Sequence, residues 1–190
     1  VDSYAKMGAC IGIGLSNTGV TSEVDTAKAL LEDQMNTKND LTTLGAIIGL
    51  GLAYAGTGRE DFLETLTPIV CEVNHSLEMS ALAALSLGLI FVGTRNEDVV
   101  TIIIETLSER PENQLDMTMA RFFGVALGLL FLGKQESCEA TLDVINTMTH
   151  PIKKYIELCV ESCAYVGSGN VLKVQKMLHA CTEHLEEKDA

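Results

Sequence analysis

The feature that most limits what this chain can fold into is a six-residue frame that returns along its whole length. Gly14-Leu-Ser-Asn-Thr-Gly19, Gly51-Leu-Ala-Tyr-Ala-Gly56, Gly88-Leu-Ile-Phe-Val-Gly93 and Gly128-Leu-Leu-Phe-Leu-Gly133 each read glycine, four mostly apolar residues, glycine; Ser162-Cys-Ala-Tyr-Val-Gly167 repeats the frame with serine first. The second glycines stand 37, 37, 40 and 34 residues apart. That period belongs to a stacked two-helix unit and is too long for a leucine-rich one. The spacing predicts an all-α chain, an α-α superhelix (a solenoid or toroid segment) of about five helical hairpins. Their approximate bounds are 1–39, 40–76, 77–116, 117–150 and 151–182, with a charged tail over 183–190.

The two halves of each hairpin differ in composition. Residues 4–15, 41–55, 79–92 and 117–132, which lead into the frame, contain no Asp or Glu. Helices apolar all round are buried all round. Their many glycines lower helix propensity by about 1 kcal/mol each relative to alanine, so they imply close helix approach. The second glycine of each frame suits a left-handed helix C-cap. Beyond it come amphipathic segments, 22–36, 59–72, 96–110 and 135–147, which hold 15 of the 26 acids. The expectation is an apolar inner layer under an acidic outer one. In the fifth hairpin Glu157 and Glu161 interrupt the inner segment, as at an array end or junction.

This layering accounts for an unusual pairing, a mean hydropathy of +0.23 with a net charge of −13. Disordered chains combine charge with low hydrophobicity, and nucleic-acid binders need a basic footprint, so both classes are excluded. The apolar runs at 79–93 and 122–133 fall short of the roughly 18 residues of a membrane span. The first residues show neither a basic stretch nor a start methionine, which predicts a piece of a longer chain without a signal peptide. Cys10, Cys71, Cys138, Cys159, Cys163 and Cys181 are scattered singly through apolar surroundings, and the expectation is buried reduced thiols in a cytosolic or nuclear protein.

Motifs that suggest chemistry are better explained by the repeat. Gly128 to Lys134 imitates the opening of a phosphate loop, but Gln135 stands where a magnesium-ligating Ser or Thr is required. Cys159, Cys163, His179, Cys181 and His184 match no standard zinc spacing. His75 and His150 have no nucleophile or carboxylate in a catalytic order. No catalytic residue, cofactor or metal is implied.

The outer acids are the remaining signal. At about 100° per residue, Asp98, Glu105 and Glu109 fall within about 20° of one line, with Ile102 at about 40° and Thr101 at about −60°. The expected exposed stripe is acid, isoleucine, acid, acid. Asp61, Glu64 and Thr65 on the preceding outer helix, and Glu136, Glu139, Ala140 and Asp143 on the following one, extend it. Such a face fits a partner with a basic rim around a small hydrophobic patch.

The runs Leu44-Gly-Ala-Ile-Ile-Gly-Leu-Gly-Leu-Ala-Tyr-Ala-Gly-Thr-Gly-Arg-Glu-Asp61, Arg121-Phe-Phe-Gly-Val-Ala-Leu-Gly-Leu-Leu-Phe-Leu-Gly133 and Ser162-Cys-Ala-Tyr-Val-Gly-Ser-Gly-Asn-Val171, with His150-Pro151 between repeats, resemble the proteasome/cyclosome repeats of the largest non-ATPase subunits of the proteasome regulatory particle. Within that family they resemble the base subunit branch that receives ubiquitin and ubiquitin-like domains. The resemblance implies a non-enzymatic scaffold of the cytoplasm and nucleus, whose outer helices bind ubiquitin and the ubiquitin-like domains of shuttle factors. The family's acids are spaced i, i+7, i+11, matched here by Asp98, Glu105 and Glu109; Asp61, Glu64, Glu136, Glu139 and Asp143 would lie at the site's edges. A neighbouring family site that docks a deubiquitinase would reach at most Asp25, Glu32 and Asp33. The competing reading is a purely architectural segment that docks other regulatory-particle subunits. Five repeats are too few to close the family's ring, so the resemblance also implies raw apolar ends that associate.

Overall fold

Several helix starts in this chain are set by short polar side chains. Asn39, Ser76 and Asn96 accept hydrogen bonds from the backbone N–H groups of Thr42, Met79 and Val99 at 3.1, 3.3 and 3.1 Å. Each satisfies one donor that the first helical turn would leave open. The structure, a computed structural model, describes residues 2–20, 24–72 and 75–182, with residues 180–182 as backbone only. The tail expected over 183–190, the Cys181 side chain and His184 lie outside the described residues.

Every regular element among them is helical. The inner helices are α1 (Ser3–Asn17), α3 (Asp40–Ala53), α5 (Leu77–Ile90), α8 (Arg121–Leu130) and α10 (Ile152–Ala164). Each is followed by an outer one: α2 (Thr26–Met35), α4 (Asp61–Cys71), α6 (Glu97–Glu109), α9 (Glu139–Asn146) and α11 (Val171–Thr182). A short α7 (Glu112–Leu115) lies between α6 and α8. It falls within the 40-residue spacing, whereas the 34-residue spacing contains the eight-residue α9, entered through a 3-10 turn. Variation in the period is therefore absorbed outside the inner stack. None of the helices among the described residues is long and apolar enough to cross a membrane.

The inner helices stack at backbone distance. A Cβ on Gly51 would stand 2.7 Å from Ser86 Cα, and one on Gly88 would stand 2.8 Å from Ala126 Cα; Gly14 lies against the Gly49 backbone in the same way. Glycine's cost to helix propensity is thus offset by close packing, as the composition predicts. The outer helices bury only one stripe: Phe62, Leu66 and Val70 on α4, and Val99, Ile103 and Leu107 on α6, all nearly inaccessible. Each such side chain contributes roughly 1.5–3 kcal/mol relative to exposure.

The frame has a further regularity. Its fourth residue is Tyr54, Phe91, Phe131 and Tyr165 in the last four copies, and each of these aromatics is buried and forms the C-cap of its inner helix. Thr57, Thr94 and Ser168 donate hydroxyl hydrogen bonds of 2.7 Å to the carbonyls of three of these caps. The second glycine does have positive φ, 65–75°, but it stands beyond the C-cap, not at it. There its N–H points into the next hairpin. Gly56 donates to Leu89 O (2.9 Å), Gly93 to Leu129 O (2.9 Å) and Gly133 to Cys163 O (3.0 Å). In the first frame the Thr18 hydroxyl makes the equivalent bond, to Leu52 O at 2.9 Å.

The described cysteines are all free thiols. Cys10 and Cys138 are buried and Cys159 and Cys163 half-buried, but Cys71 is exposed, contrary to expectation. As the last residue of α4 it follows the inward-facing Val70 and turns toward α6. In the fifth hairpin the interrupting Glu161 is buried against Lys173 (2.9 Å) and Lys176 (2.7 Å) of α11, so an atypical carboxylate has a dedicated pair of cations. Those cations hold its carboxyl below the usual range against the opposing effect of burial.

Candidate functional site

α6 is held by its inward stripe and by the Asn96 cap, which leaves its acid line outward. Asp98, Thr101, Glu105 and Glu109 are all exposed, and none of the three carboxylates forms an ion pair among the described residues. Asp98 and Glu97 occupy the first turn, where the helix dipole favours negative charge. Glu105 and Glu109 lie near its opposite end, where the dipole opposes it. Their placement is therefore not explained by helix stability.

Ile102 differs from the expectation. It is half-buried and leans on the core, because a residue about 40° off the acid line reaches the boundary with the packed surface. Only part of it remains available. The structure supplies a second apolar point that the sequence reading passed over: Val144 of α9 is 48% exposed and lies one turn beyond the exposed Ala140. Glu136, Glu139 and Asp143 are exposed around these two residues. The i, i+4 relation of Ala140 and Val144 was the available signal. It was hidden because an alanine followed by a valine on an amphipathic helix reads as core.

On the preceding side, α4 packs directly on α6. The Cys71 thiol is pushed up, first by burial and then by the charges of Glu105 and Glu109, which puts the end of α4 beside the acid line. Thr106, whose buried hydroxyl makes no well-formed hydrogen bond, lies toward the same thiol. Glu64 is exposed. Asp61 is engaged elsewhere: Lys28 Nζ and Arg59 Nη2 both approach its Oδ2 at 2.6 Å. Hydrogen bonds from Arg59, with help from Lys28, hold its carboxyl down at about 2. Arg59 also grips Asp25 at 2.8 Å and lies 5.0 Å from the ring centres of Tyr54 and Phe62. Asp61 is thus a fastener between the first two hairpins, and its charge is already neutralised.

Of the expected residues, then, Asp98, Glu105 and Glu109 share one exposed line with Thr101 beside it, Glu64 flanks it, and Glu136, Glu139 and Asp143 ring an apolar pair on the next outer helix. The groove between α2 and α4, about 530 Å³ and lined by Met35, Ile69, His75 and Met79 among others, holds none of the α6 acids, although Glu32 and Thr65 border it. Among the described residues no three His, Cys, Asp or Glu side chains are grouped so as to hold a metal ion.

Comparison with known proteins agrees with this architecture. The family model described as the proteasome/cyclosome repeat matches residues 45–71, the α3–α4 hairpin. The 26S proteasome non-ATPase regulatory subunit 2 of Dictyostelium discoideum is 40% identical over 97% of this chain and 21% of its own length. The 26S proteasome regulatory subunit rpn1 of Schizosaccharomyces pombe is 46% identical over 96% of this chain and 20% of its own. The 26S proteasome non-ATPase regulatory subunit 2 homolog A of Arabidopsis thaliana is 45% identical over 99% and 21%. The chain spans about a fifth of the length of these curated relatives. Residues 45–71 thus match the proteasome/cyclosome repeat, and nearly the whole chain is similar to a stretch of about one fifth of the length of these non-ATPase regulatory subunits of the 26S proteasome.

Proposed function

We propose that this chain is a non-catalytic scaffold segment of the proteasome regulatory particle, and that α6 with its neighbours docks ubiquitin and the ubiquitin-like domains of shuttle factors. The observation that carries the reading is the line of exposed, unpaired carboxylates on α6. Asp98, Glu105 and Glu109 lie along one face with Thr101 beside them, Ile102 at the edge and Ala140 and Val144 on the next outer helix. Carboxylates around small apolar points complement a ligand with a basic rim and a hydrophobic patch: charge steers the encounter and the apolar contact slows departure. Glu64, Glu136, Glu139 and Asp143 form the rim, while Asp61, paired with Lys28 and Arg59, fastens the first two hairpins to each other. Free thiols fit a reducing compartment, the cytoplasm and nucleus.

The test is an NMR titration of the chain with ubiquitin. Shifts confined to residues 96–110, 59–72 and 135–147, and abolished by Asp98→Ala/Glu105→Arg/Glu109→Arg, support docking. An absence of shifts at millimolar ubiquitin would sink it in favour of a purely architectural role, for which the exposed Leu158, Val166 and Leu172 at the far end offer a contact surface with other proteasome subunits.

A further inference from the structure

The turn that leaves an inner helix contains two residues with positive φ, the second glycine of the frame and the residue two places beyond it. In the second hairpin that later residue is Gly58 (φ 62°) and in the fifth it is Gly169 (φ 67°). In the third and fourth hairpins, whose outer helices α6 and α9 carry the proposed docking face, it is Arg95 (φ 56°) and Gln135 (φ 49°). These two are the non-glycine residues with positive φ among the described residues. The equivalent place in the first hairpin, Thr21, lies outside the described residues. A Cβ in this conformation crowds the following carbonyl oxygen, a cost that glycine avoids.

Glycine serves the fold at this place as well as arginine does. In the third turn the Thr94 hydroxyl donates to the Phe91 carbonyl (2.7 Å) and accepts from the Asn96 N–H (3.2 Å), and Asn96 Oδ1 accepts from the Val99 N–H (3.1 Å). Around Gly169 each bond recurs: Ser168 hydroxyl to Tyr165 carbonyl (2.7 Å), Asn170 N–H to Ser168 hydroxyl (3.2 Å), Lys173 N–H to Asn170 Oδ1 (3.2 Å). The forward bond from the Arg95 N–H to Leu130 O, 3.0 Å, is matched by Gly58 N–H to Ile90 O at 2.9 Å. The side chains themselves hold nothing together. Gln135 is exposed and makes no side-chain hydrogen bond among the described residues. The exposed Arg95 guanidinium has only Glu97 near it, at 3.7 Å, and that carboxylate is itself 86% exposed. Backbone strain without a structural task concentrates where a chain meets its ligands.

Both residues stand at the edge of the docking face where α6 and α9 are entered, Arg95 three residues before Asp98 and Gln135 next to Glu136. A row of carboxylates alone attracts a basic rim lying in either direction along it. A cation and an amide at one end remove that symmetry. We infer, resting on the ubiquitin docking proposed above, that Arg95 and Gln135 are specificity-determining contacts of this face: Arg95 pairs with a carboxylate of the ubiquitin-like partner, Gln135 hydrogen-bonds beside it, and together they fix which way round the partner lies. The partner is then mixed in charge, basic where it meets Asp98, Glu105 and Glu109 and acidic at the Arg95 end. This predicts a sign opposite to that of long-range charge. An Arg95 that made no contact would merely repel a basic partner, and its removal would tighten binding.

The experiment is isothermal titration of the 190-residue chain with ubiquitin, for wild type, Arg95→Gly, Gln135→Gly, the double glycine variant, Arg95→Lys and Arg95→Glu, with a urea midpoint measured for each. Arg95→Gly should bind about two- to fivefold more weakly, as loss of one exposed charge pair does, and the double variant more weakly still. Both should keep or raise the urea midpoint, since strain is relieved. Arg95→Lys should recover part of the affinity, and Arg95→Glu should bind more weakly than Arg95→Gly. Arg95→Gly that binds as well as wild type or better would overturn the inference while leaving docking at the acid line intact. So would a lowered urea midpoint in the double variant, which would give the side chains a structural task. Wild type that does not bind ubiquitin, or that binds it regardless of Asp98→Ala/Glu105→Arg/Glu109→Arg, would instead sink the docking itself and this inference with it.

Discussion

Gly51 of α3 touches Ser86 of α5 so closely that a Cβ would stand 2.7 Å from both Cα and Cβ of the serine, while Ser86 Oγ donates back to the Ile47 carbonyl of α3 at 2.9 Å. One side chain is absent and the other is pinned. Gly51→Ala should therefore destabilise the chain by about 1–3 kcal/mol, the range for overpacking a filled site, even though alanine favours helix by up to about 1 kcal/mol. Gly12→Ala, with the same chemistry and open space around it, should be neutral or stabilising by up to about 1 kcal/mol. Urea denaturation at low micromolar concentration checks both, and equal effects would disprove the packing argument.

The Asp61 cluster makes stability depend on acid. Its carboxyl is held at about 2 in the folded chain, against about 3.9 when unfolded, so its contribution is complete above about pH 4 and is lost as pH falls toward 2. Asp61→Asn should lower stability at pH 7 by about 1 kcal/mol, a modest figure because the pair is partly solvated. The gap between variant and wild type should narrow steadily between pH 4 and pH 2. A gap independent of pH would show that the side chain's packing, not its charge, is what matters.

Binding at the acidic face should divide into a salt-sensitive and a salt-insensitive part. Glu105→Gln should weaken ubiquitin binding about two- to fivefold and flatten its dependence on ionic strength, as loss of one exposed charge pair would. Val144→Ala and Ile102→Ala should weaken it while leaving that dependence nearly intact. Ile102→Ala should also lower stability by about 1 kcal/mol, because half of the side chain serves the core. Isothermal titration at two salt concentrations separates these outcomes.

Cys71 offers a readout beside the same face. Of the cysteines whose side chains are described, it alone is exposed, so it should react first with an alkylating reagent. Although the residue is exposed, the packed ends of α4 and α6 partly desolvate the thiol and, with the neighbouring carboxylates, raise its pKa, so the reaction should be slow at pH 7 and quicken as pH rises. Glu105→Gln/Glu109→Gln should speed it, and bound ubiquitin should slow it. Indifference to both substitutions would separate the thiol from the acid line.

The layering was legible because it is written in composition over stretches of about fifteen residues, too long for chance to imitate. The glycine frame gave the period for the same reason. What escaped was short or through space. α7 is four residues long and has no periodicity to read. Asp61 looked like part of an acidic face because Lys28 lies 33 residues away in sequence, and only the meeting of two hairpins pairs them. The difference between Ile102 and Val144 depends on a few tens of degrees around a helix, which an ideal wheel does not resolve once neighbouring helices crowd one side.

The forward hydrogen bonds from Gly56, Gly93 and Gly133 join main-chain atoms only. Adhesion between hairpins there asks nothing of side-chain identity beyond a residue able to adopt positive φ. Away from fasteners such as the Lys28–Asp61–Arg59 cluster, the exposed faces of the outer helices are correspondingly released from holding the array together. Substitutions on those faces can change the surface that a repeat offers, hairpin by hairpin, without loosening the spine, so an array of this kind can acquire a new specificity in one repeat while its neighbours keep theirs.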